Sequence, residues 1–208
     1  MQIIAISTRQ DPREAVLLRE HHKLRAKVFS ARLGWDVMVE DGLEIDRFDE
    51  LQPTYILCIA GGDRVLACAR LLPAAGSTMV RDIFPILIEG GTLNAHPEMI
   101  ESSRFCVDTG CDEGRGQGAV HEITLMMFAG IIEWSLAHGY KEIVTVTDLR
   151  FERILNRVGW HLERLGQPRK IGVTTAVAGI LAATEHQFSR LRPSGYQSDF
   201  SKSPSKAA

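Results

Sequence analysis

Residues 55–72 read YILCIAGGDRVLACARLL. Two apolar runs of strand length, 55–60 and 64–72, flank Gly61, Gly62 and Asp63. A Gly-rich link between short apolar runs is the signature of a β-hairpin, and Pro73 ends the second run. Upstream, MQIIAI (1–6) reads as a first strand. A helix is predicted over 12–34: Asp11 caps it, Pro12 suits its first turn, and Gly34 ends it. Leu17, Leu18, Leu24, Val28 and Leu33 give that helix an apolar stripe. Residues 35–54 have no clean period and contain Gly42 and Pro53, so they read as a long, partly ordered loop. Loops of that length inside a compact domain tend to be functional.

Downstream, VRDIFPILI (80–88) reads as a strand followed by a helical turn, and ESSRFCVD (101–108) as another strand. VHEITLMMFAGIIEWSLAHG (120–139) is apolar nearly all round and closed by Gly139, the pattern of a buried helix. EIVTVTD (142–148) is a strand, and LRFERILNRVG (149–159) a short helix capped by Gly159. The remaining segments, WHLERLG, KIGVTTAVAGILAA and EHQFSRLRP, alternate less clearly. Strands and helices mix throughout with no internal repeat, which predicts an α/β sandwich around a mixed sheet. One domain over 1–195 and a polar, flexible tail over 196–208 are expected.

The chain has 208 residues, 45% hydrophobic and 24% charged, an ordinary globular composition. Its net charge of -2 argues against a double-stranded nucleic-acid binder. A local basic patch could still receive an acidic protein. Cys58, Cys68 and Cys106 sit in apolar runs and read as small core residues, while the spacing of Cys106 and Cys111 matches no common zinc pattern. No metal is expected, and the cysteine usage suggests a reduced, cytoplasmic setting. The N-terminus lacks a signal-peptide layout, and no apolar run is long enough to insert in a membrane.

GCDEGRGQGAV (110–120) lies between a predicted strand and the buried helix. Glycines before a helix N-terminus let an anion approach backbone N–H groups. The stretch is neither a Walker loop nor GxGxxG. It comes close to an acetyltransferase pyrophosphate pattern, read as Glu113-x-x-Gly116-x-Gly118 with an acidic first position. A tight strand-to-helix turn explains the same residues.

LRAKVFSARLGWDV, LEIDRFD, CARLLP and ESSRFCVD together resemble the acyl-homoserine-lactone synthases, the autoinducer synthases of bacterial quorum sensing. The matching residues are Arg25, Phe29, Trp35, Asp46, Asp49, Arg70, Glu101 and Arg104. The resemblance is closest over residues 20–110 and looser beyond. GSTMVRDIF replaces a more aromatic stretch, and MIESSRF lacks a tryptophan often found before the glutamate.

The resemblance implies an acetyltransferase-like three-layer sandwich around a mixed, mostly antiparallel sheet. It also implies a reaction between S-adenosylmethionine (SAM), as substrate with no tightly bound cofactor, and an acyl group on acyl carrier protein. The SAM amine attacks the thioester, and its carboxylate then displaces the sulfonium to close the lactone and release methylthioadenosine. On this reading Glu101, Arg104 and Ser103 form the catalytic group, with Glu101 the candidate base. Backbone N–H groups near Ser103–Phe105 would meet the thioester oxygen.

Arg25, Phe29, Trp35, Asp46, Asp49 and Arg104 would bind SAM: acids for its cationic groups, arginines for its carboxylate, rings for adenine or sulfonium. Arg70 belongs to a structural network. Asp41, Glu44 and Glu50 are left as solvated loop. On a strand, the three-residue spacing of Glu101 and Arg104 puts them on opposite faces, so either Glu101 is still in a turn or a bulge re-aims it.

In the family a threonine at the position resembling Thr145 accompanies 3-oxo-acyl substrates, and Thr147 shares its face. Met126, Met127, Val144, Leu155 and Trp160 are candidates to line the acyl chain, or are plain core. Arg150, Arg153 and Arg157 fall on one helical face. With Lys141, Arg169 and Lys170 they could dock an acidic carrier protein or be an ordinary polar face. Two other readings compete: a general coenzyme A-dependent N-acyltransferase, which does not explain the acid-rich loop, and a small-molecule sensor without turnover.

Overall fold

The computed structural model describes residues 1–7, 12–110 and 121–200. The predicted hairpin is its centre: β4 (Thr54–Ala60) and β5 (Arg64–Pro73) pair antiparallel, Tyr55 opposite Arg70. To one side lies β1 (Gln2–Ile6), antiparallel to β4. To the other, β6 (Met99–Val107) pairs antiparallel with β5, and β7 (Glu142–Asp148) pairs parallel with β6. The sheet ends with β10 (Thr174–Ala182), antiparallel to β7, which also carries β8 (Glu163–Arg164) and β9 (Arg169–Ile171). The parallel β6–β7 pair, alone among the described strand pairs, makes the sheet mixed and mostly antiparallel, as expected.

Helices cover both faces, which completes the three layers. On one face α3 (Glu122–Ala137) crosses β1, β4 and β5. Its Ile123, Met126, Met127, Phe128, Ile131 and Ile132 merge into one core with Ile3, Ile56 and Leu71. Gly130 permits this approach, since a Cβ there would stand 2.6 Å from Ile3 Cγ2. Gly139, at φ +80, turns the chain out of the helix into β7. α4 (Leu149–Arg157) and α5 (Glu185–Leu191) extend this layer.

The other face carries α1 (Pro12–Arg25), which continues not as α-helix to Gly34 but as a π-helical stretch, Ala26–Arg32. Its Leu17, Leu18, Leu24, Val28 and Phe29 pack on Tyr55, Leu57, Cys68 and Cys106.

Besides this early end to the first α-helix, the readings of 80–88 and of the C-terminal tail are corrected, and the order within the 35–54 loop is defined. Residues 80–88 contain no strand: Met79–Asp82 forms a helical turn, α2, and Pro85–Leu87 a 3-10 turn. Val80, Ile83 and Ile86 favour extension locally, but Thr78 caps the turn through its hydroxyl and Pro85 starts the next one. The loop over 35–54 contains a short hairpin, β2 (Val39–Glu40) and β3 (Leu43–Glu44), and a 3-10 helix, Arg47–Leu51. Residues 196–200 do not form a loose tail. Ile3 exchanges backbone hydrogen bonds with Gln197 and Asp199, and the Tyr196 hydroxyl donates to Glu133. Asp11 and the glycine stretch with Glu113, Gly116 and Gly118 lie outside the described residues. Among the described residues no helix is long and apolar enough to cross a membrane.

Candidate active site

The parallel ladder between β6 and β7 stops at Glu101 and Val144, although β6 runs on to Val107 and β7 to Asp148. Beyond Glu101 the backbones of the two strands are no longer paired. The spacing of Glu101 and Arg104 is resolved by a bulge. Between the pairs Arg70–Ser103 and Cys68–Cys106, two residues of β6, Arg104 and Phe105, face the single Ala69 of β5. Arg104 takes φ +53, a left-handed conformation costly for a residue with a side chain. Glu101, Ser103 and Arg104 consequently serve one face of the sheet, while Phe105 packs on Phe128 and Phe151 of the other.

On that face, three arginines meet three carboxylates from the 43–49 segment. Arg25 is fully buried where α1 gives way to the π-helical stretch. It bonds Asp49 in bidentate fashion (2.8 and 2.9 Å) and bonds Glu44 through Nε. Arg70, also fully buried, bonds Asp46 (2.5 and 3.1 Å), Asp49 (2.8 Å) and the Ser103 hydroxyl (3.2 Å). Arg104 bonds Glu44 (3.0 Å) and Asp46 (2.7 Å). The 3-10 helix supplies the acids in register, because Asp46 accepts from the Phe48 amide and Asp49 from the Asp46 amide.

Burial pushes the Asp49 carboxyl up, but Arg25, Arg70 and the Asp46 amide more than reverse this and hold it well below the ordinary carboxylate range. Glu44, read from sequence as solvated, is fully buried between Arg25 and Arg104. A two-residue strand carries no periodic signal, so nothing local distinguished it from its exposed neighbours.

The acids differ in what they have left to offer. Asp49 has both oxygens occupied by Arg25, Arg70, Tyr55 and a backbone amide. The structure thus makes it an internal anchor of the arginines. Asp46 has 18% of its side chain exposed, against 1% for Glu44 and 6% for Asp49, so of the three network acids it is the one an incoming group can reach.

Glu101 is fully buried. Its Oε1 accepts the Val80 amide of α2 at 2.7 Å, and its Oε2 is buried without a hydrogen-bond partner. Burial pushes its carboxyl above the ordinary value, against the opposing pull of the Val80 and Met79 amides, Arg70 and the Ser103 hydroxyl. A carboxylate oxygen of raised basicity without a hydrogen-bond partner, where the β6–β7 pairing ends, can take a proton. Phe29 and the half-buried Trp35 stack at 5.2 Å, with the Arg104 guanidinium over the Phe29 ring at 5.6 Å. A cleft of about 390 Å³ reaches Asp49 from the far side, between Leu18, His22, Gln52 and Tyr55, away from Glu101.

A sequence profile described as autoinducer synthase matches residues 10–191. The chain belongs to the autoinducer synthase family. It is 64% identical over 198 residues to a probable acyl-homoserine-lactone synthase of Sinorhizobium fredii, covering 95% of each chain. Among solved structures it resembles the acyl-homoserine-lactone synthase LasI, with 34% identity, a TM-score of 0.78 and 91% and 92% of the two chains covered. It shares the fold of BjaI, a coenzyme A-dependent acyl-homoserine lactone synthase solved with SAM and isopentyl-CoA, at 24% identity and TM-score 0.83, covering 95% and 93%. This autoinducer synthase is therefore an acyltransferase of the acyl-homoserine-lactone synthase type, on an acetyltransferase-like fold.

The remaining expected residues of the synthase fall in two groups. Thr145 donates from Oγ1 to the Ser102 carbonyl at 2.7 Å. Met126, Met127, Leu155 and Trp160 lie buried in the α3-side core. Val144 does not join them: it packs with Val80, Met99 and Ala178 on the opposite face, because neighbouring strand residues alternate. Arg150, Arg153 and Arg157 of α4 are exposed, as are Lys141, Arg169 and Lys170. Glu152, between the α4 arginines in sequence, is turned inward onto Arg164 (2.6 and 2.7 Å) and leaves them to solvent. No cluster of His, Cys, Asp or Glu among the described residues is placed to hold a metal.

Proposed function

We propose that Glu101 is the general base of this synthase and that its acyl donor is a 3-oxo-acyl group on acyl carrier protein. The buried, unpartnered Oε2 of Glu101 carries the first part. SAM enters as a cation overall, with its sulfonium and ammonium outweighing its carboxylate. Glu44, Asp46, Asp49 and Glu101 outnumber Arg25, Arg70 and Arg104 by one charge, which suits such a guest. Asp46 meets the cationic groups, while Arg104 takes the carboxylate and Phe29 and Trp35 the adenine or sulfonium.

Glu101, directly or through water, removes a proton from the ammonium. The amine then forms a C–N bond at the thioester carbonyl, and the C–S bond breaks to release the thiol, which receives a proton. Backbone N–H groups of the bulge at Ser103–Phe105 face the developing oxyanion, and Ser103 links this point to Arg70. The SAM carboxylate next attacks the γ carbon and expels methylthioadenosine, a step that needs only orientation.

An acyl chain entering between β6 and β7 passes from Val144 on the Glu101 face to Thr145, Met126, Met127, Leu155 and Trp160 beyond. A hydroxyl has one proton to donate, so Thr145 must turn from the Ser102 carbonyl to serve a 3-oxo group. The exposed Arg150, Arg153 and Arg157 support an acidic carrier as donor. A second reading, acyl-coenzyme A as donor, is favoured by the likeness to BjaI.

Purified protein with SAM should yield lactone and methylthioadenosine from 3-oxo-acyl carrier proteins, followed by mass spectrometry. The same acyl-coenzyme A thioesters form the second arm, and equal or better kcat/KM with them replaces the carrier reading. Glu substitutions at Arg150, Arg153 and Arg157 should raise KM for the carrier substrate alone. Acylation of unrelated amines only would support a general acyltransferase, and no turnover by folded protein a sensor.

A further inference from the structure

Tyr55 touches none of the reacting groups, yet it stands in a row with residues of the site. On β4 it lies directly opposite Arg70 of β5, which lies directly opposite Ser103 of β6. Its hydroxyl donates to Asp49 Oδ1 at 2.7 Å. That oxygen also receives Arg25 Nη1 and Arg70 Nη1, each at 2.8 Å, while Oδ2 receives Arg25 Nη2 at 2.9 Å and the Asp46 amide at 2.8 Å. Five donors on one carboxylate define its position and tilt closely.

We infer that Tyr55 is a positioning residue for the SAM-binding network, its phenol fixing the Asp49 carboxylate from which Arg25 and Arg70 take their orientation. The inference rests on the reading that this network receives SAM. Three features single out the phenol. It is the neutral side-chain donor among the five, so it fills Oδ1 without altering the balance of guanidiniums and carboxylates. Its ring is held in place, 5% exposed and packed on His21 at 4.3 Å between centroids, so it cannot follow a drifting carboxylate. Burial and the neighbouring Asp49 push its own proton loss far up, so it donates at every pH at which the enzyme would work. With the hydroxyl gone, Asp49 Oδ1 is shared by two guanidiniums alone. Arg70 then moves toward Asp49 at the expense of its bonds to Asp46 and Ser103, the two contacts that reach the substrate side.

The test is Tyr55→Phe, which keeps the ring and deletes the donor. The expected result is a rise in KM for SAM of about tenfold, the size of one hydrogen bond to a charged group, with KM for the acyl thioester unchanged. A merely structural role would lower the active fraction and leave both KM values alone, and that outcome overturns the inference, as does an unchanged KM for SAM. The chain has only three tyrosines, Tyr55, Tyr140 and Tyr196. Parent protein labelled with 3-fluorotyrosine therefore gives an independent reading whether or not the variant folds. Saturating SAM should move the Tyr55 fluorine resonance and leave those of Tyr140 and Tyr196, and a stationary Tyr55 resonance also overturns it. Parent protein that binds no SAM and makes no lactone would instead sink the underlying reading of the site.

Discussion

Glu44→Gln tests the network where sequence and structure differ most. The carboxylate is fully buried and accepts from Arg25 Nε and from Arg104 Nε and Nη2. The amide keeps the shape, removes the charge and points two N–H groups at guanidiniums. Breaking a buried ion pair from one side costs roughly 3–5 kcal/mol. Arg25 retains Asp49 and Arg104 retains Asp46, which places the cost near the low end, about 3 kcal/mol. At roughly 2–4 °C per kcal/mol for a chain of this size, the melting temperature should fall by about 6–12 °C. Thermal unfolding followed by circular dichroism measures it, with Glu50→Gln as the exposed counterpart from the same acidic run, expected within about 0.5 kcal/mol of the parent. If Glu44→Gln and Glu50→Gln melt together, within about 2 °C of the parent, Glu44 is not a buried keystone and the arginine network must be drawn differently.

Glu101→Gln should cut turnover by about 10²–10⁴, the usual worth of a general base, with folding retained. Because burial raises the Glu101 carboxyl, the active carboxylate form is lost as pH falls through a value above the ordinary glutamate pKa of about 4.3. The acid limb of kcat/KM should lie there and vanish in the variant, and a parent limb at the ordinary value would remove Glu101 from the base role. Asp46→Asn should weaken SAM binding by about 10–100-fold, as for a lost hydrogen bond to a charged group. Calorimetry without acyl donor reads this directly, and unchanged affinity would return Asp46 to a purely internal role.

The hairpin and the buried helix were legible because long apolar runs and glycine punctuation carry their own period. The β4–β5 pair and α3 accordingly appear where 55–72 and 120–139 predicted them. Short elements were not legible. β3 and the 3-10 helix at Arg47–Leu51 owe their shape to Arg25, Arg70 and Arg104, residues far away in the chain. α2 was misread because Val80, Ile83 and Ile86 favour extension locally, while Thr78 and Pro85 set the turns. For Glu101 and Arg104, spacing posed the right question and only the register of β6 against β5 answered it. Tyr55 gave no signal at all, since an aromatic residue in an apolar strand is ordinary core.

The bulge at Arg104 gives β6 two reading frames. Up to Ser103 the odd-numbered residues look into the site, and after it the even-numbered ones do. Cys106 therefore packs beneath α1 beside Cys68, while Phe105 is sent to the α3 side.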